Sequence, residues 1–151
     1  PADVALTAGR PVLVIPYIGG TWKTLGSHVL VGWNASREAT RAVNDAIPLL
    51  QRAKKVTVLA INPERGVEGH GEVPSADISL PLARHGVKAE AAQTVSGDID
   101  VGDAILSRAS DLGADLIVMG AYGHSRVREV ILGGVTRHLL QHMTVPILMS
   151  H

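Results

Sequence analysis

The stretch Leu116–His142, LIVMGAYGHSRVREVILGGVTRHLLQH, constrains the fold of this chain more than any other. Leu116-Ile117-Val118-Met119 is an unbroken apolar run, short enough for a strand and without the polar alternation of a half-exposed one. It therefore reads as a strand buried on both faces. Glycine then takes over: Gly120 and Gly123 flank a sharp exit, and Gly133-Gly134 precede a segment with Val135, Leu139 and His142 at helical spacing. A buried parallel strand feeding a glycine-rich loop and then a helix presents backbone N–H groups at the positive end of the helix dipole. No side chains block an approaching anion there. The pattern predicts a phosphate cradle.

The segments before it alternate in the same way. His28–Trp33 is an apolar strand, Asn34-Ala35-Ser36 its turn, and Ser36 the N-cap of a helix whose apolar stripe is Ala39, Val43, Ala46, Ile47 and Leu50. Pro48 is predicted to kink that helix or loosen its last turn. Val56–Ile61 is the next strand, and the glycine-rich, aperiodic residues 62–73 read as a surface loop. A helix is predicted over 75–85 with a stop at Gly86, then an edge strand over 87–95 with Val87, Ala89 and Ala91 on one face. Ile99, Val101, Ile105, Ala109 and Leu112 carry a further helix that stops at Gly113, and Val145–Met149 forms the last strand. Alternation with near-uniformly apolar strands predicts an α/β fold: a doubly wound, five-stranded parallel sheet with helices on both faces. Right-handed crossovers favour the order 3-2-1-4-5, counted from the strand at Val29. In that order a crevice opens at the carboxyl ends of the first and fourth strands. Trp33, Asn34, Ala35 and Ser36 form one lip, and Gly120 to Gly123 the other.

Residues 1–26 do not read as the start of this domain. Val4–Ala8 followed by Gly9-Arg10-Pro11 resembles a helix end, and Pro11–Pro16 a short extra strand bounded by prolines. Leu139-Leu140 and Pro146-Ile147-Leu148-Met149 repeat that order one domain's length later. The echo makes 1–26 a remnant strand and linker from a preceding repeat, ahead of a domain over 27–151. The alternative is an ordinary N-terminal strand of similar composition. Either way the strand is too apolar to stay solvated, and the edge on offer is Val145–Met149. It is predicted to dock there on its own domain, or by exchange on a second copy, which makes a homodimer.

The spacing Gly120, two residues, Gly123, nine residues, Gly133, a small residue and then Val135-Thr136 resembles the nucleotide-binding signature of the universal stress protein family. The upstream strand pattern agrees with it over Ser27–His151. The resemblance implies the same sheet order, an adenine nucleotide, ATP, as ligand, and a regulatory or stress-response role. Tandem members and pairing through the terminal strand are known in that family. Two positions depart from its pattern. The residue after the third glycine is usually Ser or Thr, whose hydroxyl contacts phosphate, and here it is Gly134. Asn34 stands where relatives commonly carry Asp, and an amide cannot balance the charge of Mg²⁺ as a carboxylate does.

Each candidate has a plainer reading beside the functional one. Asn34 either hydrogen-bonds a nucleotide or ties its own turn. By resemblance Ile61 offers its backbone to adenine, while its side chain belongs to the core. Met119 walls the base or fills the core. Arg126 pairs with a γ-phosphate or is merely solvated, and the same holds for Arg128. Thr136 is a hydroxyl close to the lost Ser/Thr position. His138 and His142, four apart on a helix, suit zinc only with a third ligand, and otherwise form an exposed or interface pair.

Composition removes other classes. Lys plus Arg and Asp plus Glu are both 14, so no net field draws in a polyanion, and aromatics are 3% with no Phe, which removes stacking platforms for nucleic acid. The chain has no Cys, in keeping with a reducing, cytoplasmic compartment. No stretch is apolar for long enough to span a membrane. No Walker lysine, nucleophile elbow or H-E-x-x-H occurs, so no catalytic or metal-ligating residue is nominated. The leading expectation is an ATP-binding regulatory domain. The rival is a nucleotide-free dimerisation module of the same fold, and slow ATP hydrolysis is a third reading.

Overall fold

A computed structural model describes residues 2–18, 23–62, 77–121 and 134–151, with only the backbone described at Ala2 and Asp3. The elements are α1 (Ala2–Thr7), β1 (Val12–Val14), β2 (His28–Trp33), α2 (Arg37–Leu50), β3 (Lys55–Ile61) and α3 (Ser79–Arg84). They continue with β4 (Ala89–Thr94), α4 (Val101–Leu112), β5 (Leu116–Gly120), α5 (Gly134–His142) and β6 (Ile147–Ser150).

Five strands form the parallel body in the order β4-β3-β2-β5-β6, which is the predicted doubly wound α/β sheet. The extra strand β1 closes its far edge and runs antiparallel to β6, with Val12 opposite Met149, Leu13 opposite Leu148 and Val14 opposite Ile147. The N-terminal strand therefore docks on the predicted edge.

Strand periodicity of two sends successive side chains into two separate cores. Val29, Val31, Val58, Leu116 and Val118 pack beneath the α2 stripe of Ala39, Val43, Ala46 and Leu50. Leu30, Leu59, Ile117, Met119 and Ile147 pack on the other face against Ile105 and Ala109 of α4, Leu139 of α5 and Ala5 of α1. Leu116, Ile117 and Val118 are fully buried, as a strand covered on both faces must be.

Local signals set the helix ends. Ser36 caps α2 by accepting from Ala39 N–H at 3.1 Å, Asp100 caps α4 by accepting from Gly102 N–H at 2.7 Å, and Gly113 ends α4 with φ +63°. α2 continues through Pro48 to Leu50 and closes with Gln51 N–H on the carbonyl of Ile47. Four expectations shift. Ile99 lies outside α4 and is exposed, because Asp100 starts the helix after it. Ala91 is exposed while Ala89 packs on one core and Ala92 on the other, since an edge strand between two helix layers has no single wet face. α3 is shorter than predicted, with 75–76 outside the described residues, and β6 begins at Ile147 rather than Val145. Of the loop predicted over 62–73, all but Asn62 lies outside the described residues.

Candidate functional site

The chain crosses from one half of the sheet to the other between β2 and β5, which pair in parallel with Gly32 opposite Met119. Their carboxyl ends carry the candidate lips. On the β2 side, Trp33 is buried in the α2-side core and Asn34 Oδ1 accepts from Ser36 N–H at 3.1 Å. Ala35 between them has φ +56°, a left-handed conformation that L residues seldom adopt. The turn holds that conformation because both its polar ends are tied: Asn34 through its carbonyl oxygen, and Ser36 through its capping hydroxyl.

On the β5 side, Met119 is 8% exposed and packs in the α4-side core. Gly120 has a definite reason to be glycine. A Cβ there would lie 2.5 Å from Ala39 N and 2.6 Å from Glu38 C, so β5 ends pressed against the first turn of α2. The next residue is pinned as well. Ala121 N–H donates to the Ser150 carbonyl at 2.8 Å, and the Ala121 carbonyl lies 3.0 Å from His151 Nδ1, which must donate to it. The exit from β5 is thus rigid up to Ala121. Gly123, Arg126, Arg128 and Gly133 lie outside the described residues. The chain is next described at Gly134, the first residue of α5, with Val135 half-buried and Thr136 only 2% exposed. The first N–H groups of α5 have no partner within the helix, the feature that suits a helix start to an anion.

Ile61 is half-buried, and next to it Asn62 takes φ +48°. Asn62 is locked to the turn after β4: its Nδ2 donates to Ser96 Oγ at 2.8 Å, its Oδ1 accepts from Ser96 N–H at 2.9 Å, and its N–H donates to the Thr94 carbonyl. Sequence reasoning missed this lock. The signal was weak, an Asn after a strand and a Ser-Gly pair after the next.

A second feature it missed is an open cavity of about 350 Å³ lined by Arg37, Glu38, Arg41 and His151, beside the Gly120–α2 contact. Glu38 is 7% exposed, with Arg37 Nη2 3.9 Å from it. Arg41 donates to the carbonyls of His151 and Gly9, tying α2 to the end of β6 and to the turn before β1. At the opposite end of the sheet, Asp115 accepts from Thr24 Oγ1, Ser27 N–H and His28 N–H. Burial pushes its carboxyl up, but these hydrogen bonds outweigh that, and its pKa lies below the ordinary 3.8.

The two histidines on α5 stack with ring centroids 4.3 Å apart, and His138 Nε2 meets Asp103 Oδ1 of α4 at 2.7 Å. Among the described residues no group of three His, Cys, Asp or Glu is placed to hold a metal ion, and no helix is long and apolar enough to cross a membrane.

Comparison with known proteins agrees with the fold. Over 46 residues, 30% of the chain, it is 39% identical to universal stress protein Slr1230 of Synechocystis and 35% identical to universal stress protein MJ0577 of Methanocaldococcus jannaschii. Those matches span 16% and 28% of the two relatives. Among solved structures, that of MJ0577 superposes with a TM-score of 0.62 at 20% identity, covering 85% of this chain and 98% of that one. A universal stress protein in complex with cAMP gives 0.60 at 21%, again covering 85% and 98%. A universal stress protein from Archaeoglobus fulgidus gives 0.63 at 20%, covering 83% of this chain but 45% of its own. At these identities the superpositions show the shared fold. The profile of the Universal stress protein family matches residues 27–151, from the start of β2 to the end of the chain, and the chain belongs to that family.

Proposed function

We propose that the crevice between the ends of β2 and β5 binds an adenine nucleotide, ATP, and that the domain acts as a regulatory module in a stress response. The observation that carries this reading is the meeting of two independent features at one place. The topological switch point of the sheet lies where β5 leads toward the start of α5, the positive end of a helix dipole. A solved relative of the same fold holds cAMP, which supports an adenine nucleotide as the ligand class.

In this reading the Trp33–Ser36 turn and Ile61 receive the nucleoside. Gly120, Gly123, Arg126 and Gly133 to Thr136 face the phosphates. The Asn34 carbonyl oxygen is already used within its turn, and an amide brings no charge, so Mg²⁺ does not depend on this position. The protein works in the cytoplasm and binds without turnover, or with weak ATP hydrolysis at most.

One observation favours the nucleotide-free structural module. The backbone of α2 already accounts for the glycine at position 120, with no ligand needed. Titration with a fluorescent ATP analogue separates the two readings, and saturable binding below millimolar is expected. Absence of saturation, together with no nucleotide released from freshly purified protein, sinks the nucleotide reading.

A further inference from the structure

The histidine pair on α5 has no part in the nucleotide reading, yet its surroundings are shaped to hold it. His138 lies across the first turn of α4. A Cβ at Gly102 would come within 2.8 Å of His138 Cδ2 and 3.3 Å of its Cγ, so the glycine leaves room for the ring where it lies. Beside that glycine, Asp103 Oδ1 meets His138 Nε2 at 2.7 Å. His142, one turn further along α5, stacks on His138 with ring centroids 4.3 Å apart and planes inclined at 28°. Its Nδ1 lies 2.9 Å from the His138 carbonyl.

These contacts fix which nitrogen of each neutral ring carries the proton. A carboxylate and a carbonyl only accept, so His138 donates from Nε2 and His142 from Nδ1. The lone pairs are left on His138 Nδ1 and His142 Nε2. Both point away from the protein. The Cδ2–Nε2 edge of His138 faces α4, which puts Nδ1 on the opposite side of that ring. His142 turns Nδ1 toward its own helix backbone, which puts Nε2 on the far side. A ring N–H held by a carboxylate or a backbone carbonyl is the arrangement that stands behind metal-ligating histidines and sets their tautomer. Charge favours a cation as well: α5 ends at His142, so the pair sits at the negative end of the helix dipole with the Asp103 carboxylate beside it.

We propose that His138 Nδ1 and His142 Nε2 clamp one divalent transition-metal ion, with Asp103 and the His138 carbonyl holding the rings from behind. Their spacing of four residues sets both on one face of the helix. Two imidazoles suit an ion of tetragonal preference, copper(II) ahead of nickel(II), with water completing its coordination. A closed zinc site needs further protein ligands, and among the described residues no group of three is placed to supply them. The clamp does not depend on nucleotide in the crevice.

Titration of the untagged 151-residue protein with copper(II) chloride, followed by calorimetry and electron paramagnetic resonance, tests the clamp. The expected result is one saturable site with two imidazole nitrogens in the equatorial plane, and a melting temperature that rises with copper. His142→Gln leaves the His138–Asp103 contact in place, and should lose both the site and the copper-dependent rise. Asp103→Ala removes the acceptor behind His138, and should keep one site while weakening it by about 10-fold or more. A contribution of Asp103 to helix packing alone would lower the melting temperature and leave copper affinity unchanged, which overturns its part in the clamp. The chain has seven histidines, so undiminished binding by His142→Gln places the ion on others and overturns the proposal. A one-nitrogen spectrum, or no saturation in the parent protein, does the same. Circular dichroism checks that each variant is folded.

Discussion

Gly120 separates two meanings of a motif glycine by geometry alone. Its missing side chain makes room for the first turn of α2, so Gly120→Ala must move backbone rather than a flexible tip. Overpacking of that kind costs about 1–3 kcal/mol, and thermal melts should show the variant destabilised even without nucleotide. Asp115 is the second residue whose role is now defined. Its pKa is depressed in the folded state, so its stabilisation is complete above the unfolded value and is lost as pH falls through the folded one. Asp115→Ala removes an acceptor for Thr24 and two backbone donors. Urea unfolding should find it less stable by about 1–3 kcal/mol at pH 7, with the gap to the parent narrowing as pH falls below the ordinary 3.8 and through the lower folded value. A gap that persists at low pH would assign the loss to packing. Neither role was legible in the sequence, because a glycine and an aspartate beside a strand look the same whatever approaches them from a distant part of the chain.

At the scale of elements, periodicity was a reliable guide to the covered strands and helices and a poor one at the edge. Leu116–Met119 reads as buried on both faces and is, because two helix layers leave no polar alternation. β4 reads as one-faced and is not, because its alanines are small enough to sit half-covered on either side. Caps were legible where a side chain closes its own helix, as at Ser36, and less so at Asp100, which the apolar stripe concealed by extending back to Ile99. α5 bears most on the proposed ligand. If the hydroxyl missing at Gly134 limits affinity, Gly134→Ser adds a charge-assisted hydrogen bond at the helix start. Calorimetry should find ATP binding tighter by about 1.5–3 kcal/mol at most. Unchanged affinity would mean that the start of α5 does not hold phosphate. The left-handed cap at Gly113 gives a purely structural control: Gly113→Ala should cost about 1–2 kcal/mol of stability and leave nucleotide affinity alone.

For the whole molecule, the arm is the element whose placement matters most. It reaches β6 by pairing three residues, by burying Ala5, and through Arg41, which bridges the carbonyls of Gly9 and His151. Arg41→Ala should therefore speed hydrogen exchange in β1 while leaving β2, β3 and β5 protected, since those strands lie inside the parallel body. Equal acceleration throughout the sheet would make Arg41 a determinant of global stability instead of a tie for the arm.

From its sequence alone this protein could be assigned its α/β class, its sheet order, the site of its crevice and the edge its arm would seek. Each of these follows from local periodicity, from chirality, or from the need to bury an apolar strand. Only the tertiary structure decided that the arm pairs antiparallel with β6 in the register that sets Leu13 opposite Leu148, and that Gly120 faces α2. Those facts depend on which distant segments meet and in what register. A strand's apolar pattern says that it must be covered, and only packing in three dimensions says by what.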